Sequence, residues 1–224
     1  MSPICAVIFD LDGLLLDTEP ILRQVDTEAI AHYGGVLSDD LRQQALGLTH
    51  GDKDRLFVHA LNLPVAPAVL SALRATMLDA VWALAELLPG AANVVASLQA
   101  MGVPLAIATS STLPHVRTKL RRHPEIVAAM SAIATSDHPL VRHPKPAPDV
   151  FLAAATLLGA DPASCLALED APSGVAAALA AGMFVVAVPD PRLPPHPILQ
   201  QAHEQLLSLL DFDPTHWGIS PVRA

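Results

Sequence analysis

Apolar positions along the chain fall into two kinds of pattern. Four short runs, "CAVIF" at 5–9, "VPLAIAT" at 103–109, "CLALE" at 165–169 and "MFVVAVP" at 183–189, are apolar without alternation, and all but the third carry β-branched residues. Such runs predict strands buried on both faces. Each of the last three follows a stretch with helical spacing: "GAANVVASLQAMG" at 90–102, "DVFLAAATLLGA" at 149–160 and "APSGVAAALAAGM" at 171–183. Gly102, Gly159 and Gly182 stand where a C-terminal helix cap is needed before the next strand. Helices alternating with continuous apolar strands predict an α/β fold, a Rossmann-like parallel sheet with helices on both faces. Ligands of such sheets bind at the carboxyl ends of the strands.

Between Pro20 and Leu88 the rhythm changes to successive helices, broken at "HYGGVLSDD", "LGLTHGD" and "LNLPVAP", with no strand expected between Asp17 and Val103. The chain is therefore expected to consist of a core domain, residues 1–16 and 89–224, interrupted by an all-helical cap domain, residues 17–88. Thr18 can cap the first inserted helix, and Pro20 suits its first turn.

With 224 residues, 52% of them hydrophobic, the chain can bury a substantial core. A formal charge of −9 with 13 Lys plus Arg argues against a nucleic-acid partner but leaves room for a small anionic substrate held by local positive charge. Cys5 and Cys165 are expected to be buried reduced thiols of a cytoplasmic protein rather than one disulfide. No basic segment precedes the first apolar run, and the stretch Val175–Val188 is too short to cross a bilayer, so neither a signal peptide nor a membrane span is expected. "VPDPRLPPHP", 188–197, reads as a surface loop, and Phe212 and Trp217 are expected to pack on the core.

The chemistry gathers where the strands end. Asp10 and Asp12 lie at the end of the first run, Thr109, Ser110 and Ser111 at the end of the second, and Glu169 and Asp170 at the end of "CLALE", while Lys145 sits in a loop before a helix. One edge of a parallel sheet brings them together. Crowded carboxylates without Cys or His call for a hard cation, which points to Mg2+. Thr109, the amides after it and Lys145 offer donors and positive charge for phosphate oxygens. The set suits a phosphoryl group, with Asp10 as nucleophile and Asp12 protonating the leaving oxygen and later activating water. Taken singly, each element has an ordinary structural reading as turn, cap or solvated lysine; their shared location at strand ends gives them weight.

"FDLDG", "ATSS", "KPAPDVF" and "LEDAPSGVAAALAAGM" resemble, in order, the four motifs of the haloacid dehalogenase-like phosphohydrolases. That resemblance implies a parallel core sheet, an inserted helical cap, Mg2+ and an aspartyl-phosphate intermediate. It further implies Asp10 as nucleophile, Asp12 as general acid and base, and Thr109, Ser110 and Lys145 at the phosphate. For the metal it implies Asp10, Asp170 and the Asp12 backbone carbonyl, with Glu169 a further ligand or a group that holds the ligands. Dehalogenases and phosphonate hydrolases lack an aspartate at the position of Asp12, so the resemblance narrows to phosphatases and phosphomutases. Over most of the chain, including the tail "LLDFDPTHWGI", it is similar to the pseudouridine-5′-phosphatase-like branch.

The resemblance in the cap is looser. By analogy its loop "LGLTHGDK", 46–53, is expected to supply substrate contacts from Thr49, His50 and Lys53, with a plain solvated turn as the alternative. A small phosphate ester is the expected partner, nucleic acid and membrane are not, and a monomer suffices. The competing readings are a sugar phosphomutase, which needs basic cap residues for a second phosphate, and a catalytically silent binding protein on the same fold.

Overall fold

The structure is a computed structural model describing residues 3–45, 48–192 and 195–219, without the His50 side chain. Its elements in chain order begin with strands β1 (Ala6–Phe9) and β2 (Leu16–Asp17), then helices α1 (Glu19–His32), α2 (Asp39–Ala45), α3 (His50–Ala60) and α4 (Pro67–Val81). Next come β3 (Glu86–Leu87), α5 (Ala91–Ala100), β4 (Leu105–Ala108), α6 (Leu113–Lys119), α7 (Pro124–Ala129) and β5 (Ala132–Ala134). The last are α8 (Asp149–Leu158), β6 (Cys165–Glu169), α9 (Pro172–Ala180), β7 (Phe184–Ala187) and β8 (Glu204–Gln205). Contacts divide the chain into two compact units, Met1–Asp17 with Glu86–Ala224, and Thr18–Ala85.

The first unit holds a six-stranded parallel sheet in the order β5-β4-β1-β6-β7-β8. β1 lies between β4 and β6, with Phe9 level with Ile107 on one side and Leu168 on the other. Side chains alternate along a strand, so Ala6 and Ile8 face one way and Val7 and Phe9 the other, and all four are fully buried. The Ala6–Ile8 face packs on α8 and α9 through small residues, among them Ala106, Ala134, Ala154, Ala167 and Ala178, which let helix and sheet approach closely. Filling that space are larger groups such as Phe151, whose full burial contributes about 1.5–3 kcal/mol. Gly102, Gly159 and Gly182 adopt φ of 75°, 66° and 77°, the left-handed conformation that ends a helix and turns the chain back.

Several expectations needed correction. β2 and β3 form a two-stranded antiparallel ribbon, Leu16 opposite Leu87 and Asp17 opposite Glu86, where no strand was expected between Asp17 and Val103. Cys165 is buried, but Cys5, just ahead of β1, is exposed; both are free thiols. The tail is anchored by Trp217, whose Nε1 donates to Glu204 at 2.8 Å and whose ring meets Phe184 edge-on.

The second unit is wholly helical among its described residues. Its core joins Ala29, Ile30, Leu41, Phe57, Val58 and Leu70 from all four helices. Arg74 of α4 is buried with them, paired at 2.5 Å with both Asp26 and Asp54. Pro67–Leu84 is long and apolar enough, by length and composition alone, to cross a membrane, which the sequence reading did not foresee. In the structure the buried face of α4 carries Leu70, Arg74 and Leu78, so its apolar stripe is occupied by its own unit.

Candidate active site

Asp10 is the first residue after β1, and its amide still donates to Leu168 O at 3.0 Å, so the neighbouring strand fixes its position. Gly13 then turns the chain with φ of 90°, and Gly13 N donates to Leu16 O. Thr109 follows β4, buried and level with Ala134 O, to which its amide donates. Glu169 is the last residue of β6, and Asp170 follows it. The loop before α8 is ordered by Asp149, whose Oδ2 accepts from the amides of Arg142 and His143 at 2.9 Å, and this places Lys145.

The sheet thereby gathers Asp10, Glu169 and Asp170, each with a ligand oxygen within 4.8 Å of the others'. Lys145 bridges two of them, its Nζ 2.5 Å from Asp10 Oδ1 and from Glu169 Oε1, and its third donor reaches Ala108 O at 3.2 Å. Glu169 Oε2 accepts from Ala171 N at 2.8 Å, so both oxygens of this carboxylate are held. Space for it exists only because residue 174 is glycine: a Cβ there would lie 1.6 Å from Glu169 Oε1. Gly13 makes similar room for Asp170, since its Cβ would stand 2.3 Å from Asp170 Oδ2.

Burial pushes the Asp10 carboxyl up to about 7, against the pull of Lys145 and with help from Glu169 and Asp12. Asp170 is also raised well above the ordinary carboxylate range, by burial first and then by Glu169 and Asp10. Burial pulls the Lys145 ammonium down, but Asp10 and Glu169 outweigh it and the net direction is upward. Asp170 Oδ1 is buried without a hydrogen-bond partner among the described residues. An anionic oxygen in that position is costly unless a cation meets it. Oxygen ligands alone, crowded and short of donors, fit Mg2+ and not a soft metal.

Asp12 stands apart from that group. Its Oδ1 accepts from Lys119 Nζ at 2.6 Å and its Oδ2 from Ser111 Oγ at 2.8 Å, while Lys119 also donates to Ser111 Oγ at 2.8 Å. Lys119, buried at the end of α6, was missed by sequence reasoning. A signal existed: it lies at helical spacing between buried Val116 of α6 and buried Leu120 just past its end, where a lysine needs a partner. With it the site carries four carboxylates (Asp10, Asp12, Glu169, Asp170) and two lysines (Lys119, Lys145), a formal excess of two negative charges that one divalent cation balances.

Ser110 is exposed beside Thr109, whose Oγ1 accepts from Ser111 N at 3.0 Å. In the second unit Thr49 caps α3, its hydroxyl accepting from Asp52 N and donating to Asp52 Oδ2, and Lys53 is half-buried in the first turn. Residues 50–53 are thus helix rather than the expected loop, and Leu46, Gly47 and the His50 side chain lie outside the described residues.

The haloacid dehalogenase-like hydrolase family matches residues 4–182. Over 222 residues the chain is 38% identical to (DL)-glycerol-3-phosphatase 2 of Arabidopsis thaliana, covering 96% of this chain and 91% of that one. It is 36% identical over 216 residues to a probable pseudouridine-5′-phosphatase of Drosophila melanogaster, covering 95% and 93%. A HAD family hydrolase from Deinococcus radiodurans R1, solved with bound phosphate and sodium, superposes with a TM-score of 0.80 at 29% identity, covering 99% of this chain and all (100%) of that one. From motifs, sheet and relatives together, the chain belongs to the haloacid dehalogenase-like hydrolases, as a phosphomonoester hydrolase.

Proposed function

We propose that the protein is a Mg2+-dependent phosphatase of small phosphate esters that works through an aspartyl-phosphate on Asp10. The observation that supports this best is the convergence of Asp10, Glu169 and Asp170 within 4.8 Å, together with an Asp170 oxygen that has no hydrogen-bond partner among the described residues. Asp10, Asp170 and Glu169, with the Asp12 backbone carbonyl, would hold the metal. Mg2+ bound there neutralises phosphoryl charge and favours the ionised Asp10 that a nucleophile needs.

In the first step an Asp10 carboxylate oxygen attacks phosphorus, the bond from phosphorus to the ester oxygen breaks, and Asp12 gives that oxygen its proton. Lys145 and Thr109, with the Ser110 region, meet the charge on the phosphoryl oxygens. In the second step Asp12 takes a proton from water as the water oxygen attacks phosphorus, and Asp10 is released with inorganic phosphate. Positioning and charge neutralisation supply most of the acceleration.

The helical unit Thr18–Ala85 is the proposed cap, with Thr49, His50 and Lys53 as its substrate contacts. The relatives named as glycerol-3-phosphatases, pseudouridine-5′-phosphatases and hexitol phosphatases favour a hydroxyl-rich leaving group, a polyol or a nucleoside. The enzyme acts as a monomer on a freely diffusing ester. The test is phosphate release from glycerol 3-phosphate, pseudouridine 5′-phosphate, hexitol phosphates and p-nitrophenyl phosphate, with and without Mg2+, by wild type and Asp10→Asn. At least one ester is expected to be hydrolysed, only with the metal and only by wild type. Isomerisation of a sugar phosphate without net phosphate release would overturn the reading in favour of a mutase.

A further inference from the structure

Lys119 is an expensive residue in its place. Removing an ammonium from water costs several kcal/mol even after relaxation, and an ion pair seldom recovers more than that. It is 3% exposed, and its Nζ meets the Asp12 carboxylate at 2.6 Å. Its Nζ, Asp12 Oδ1, Asp12 Oδ2 and Ser111 Oγ form a closed ring of contacts at 2.6, 2.8 and 2.8 Å, so both oxygens of Asp12 are held from one side. The scaffold behind the ring is fixed at its other end too. Asp137 Oδ1 accepts from Leu113 N at 2.9 Å and from Thr135 Oγ1 at 2.6 Å, which ties the start of α6 to the loop after β5.

We propose that Lys119, with Ser111, is a positioning pair for Asp12, and that this pair determines how well the enzyme handles poor leaving groups. The inference rests on Asp12 being the proton donor of the proposed reaction. A carboxyl gripped at both oxygens has a fixed plane, so it presents itself to the leaving oxygen along one direction. Released from the grip it turns about two side-chain bonds, and proton delivery suffers while attack by Asp10 does not. Esters of alcohols and simple phenols need the proton in the transition state; p-nitrophenolate leaves without it.

The test compares kcat and KM for p-nitrophenyl phosphate, phenyl phosphate and glycerol 3-phosphate in wild type, Lys119→Met, Ser111→Ala, Asp12→Ala and the Lys119→Met/Asp12→Ala double variant. General acid catalysis contributes about 10²–10⁴-fold, so Lys119→Met is expected to lower kcat for phenyl phosphate about 100-fold and for p-nitrophenyl phosphate less than about 10-fold, with KM little changed. In the Asp12→Ala background the same substitution should have no further effect on any ester. Ser111→Ala removes the bond to Asp12 Oδ2 and the one from Lys119 Nζ but keeps the Lys119–Asp12 ion pair, so it should show the same selectivity with a smaller loss. It carries the test if the lysine variant does not fold. An equal loss on all esters, or a full additional loss in the Asp12→Ala background, would overturn the proposal. Wild type that hydrolyses no ester would instead overturn the phosphatase reading on which it rests.

Discussion

Gly174→Ala sets two effects against each other. On helix propensity alone, alanine in α9 should stabilise by about 1 kcal/mol. The structure predicts the opposite sign. The new Cβ would lie 1.6 Å from Glu169 Oε1 and 1.9 Å from its Cδ, contacts that no backbone adjustment within a helix relieves. Glu169 must leave, and with it go the bonds from Lys145 Nζ at 2.5 Å and Ala171 N at 2.8 Å. Hydrogen bonds to charged groups are each worth about 1.5–3 kcal/mol, so losing both costs about 3–6 kcal/mol, well above the propensity gain. The net loss of about 2–5 kcal/mol should lower Tm by roughly 4–20 °C, at about 2–4 °C per kcal/mol for a chain of this size. Thermal unfolding by circular dichroism gives the shift, and p-nitrophenyl phosphate turnover gives the accompanying loss of activity, expected to exceed tenfold because Lys145 loses its second anchor. A variant as stable as wild type, or more so, would refute the placement of Glu169.

Other perturbations report on different parts of the account. Gly13→Ala forces a side chain onto a φ of 90° and against Asp170 Oδ2, so calorimetry should show Mg2+ binding weakened at least tenfold. Mg2+ affinity should rise from pH 5.5 to 7.5, because burial holds the carboxyls of Asp10, at about 7, and Asp170 above their usual range, and protons compete with the metal below that point. For the metal-free protein the sign is reversed: a carboxyl raised on folding stabilises at low pH, so its stability should decline as pH rises from about 4 through 7, an effect that Mg2+ abolishes. Arg74→Leu leaves Asp26 and Asp54 buried without their counter-charge and should cost about 3–5 kcal/mol in urea unfolding; replacing both aspartates by Leu as well should recover most of it.

How legible each feature was depends on where its information lies. β1, β4, β6 and β7 are buried on both faces, which writes an unbroken apolar run, and the glycines before β4, β6 and β7 mark a conformation other residues resist. The meeting of Asp10, Glu169 and Asp170 was legible from their places after β1 and at the end of β6, because a parallel sheet puts such strand ends on one edge. β5, three residues long, and β2, β3 and β8, two residues each, are too short to carry a pattern and owe their bonds to neighbours. Charged residues inside apolar stripes escaped for a related reason. Lys119 stands beside Val116 and Leu120, and Arg74 between Leu70 and Leu78, but their partners Asp12, Asp26 and Asp54 come from distant segments that only the fold brings together. The exposure of Cys5 likewise depends on where the sheet begins.

The central claim is that Asp10 carries the phosphoryl group. Enzyme quenched during turnover with Mg2+ and p-nitrophenyl phosphate should contain an acyl phosphate that borohydride reduces, converting residue 10 to homoserine in the peptide bearing "VIFDLDG". Asp10→Asn should show neither the reduction nor phosphate release. Sustained phosphate release by Asp10→Asn, or modification found at another carboxylate, would contradict the account.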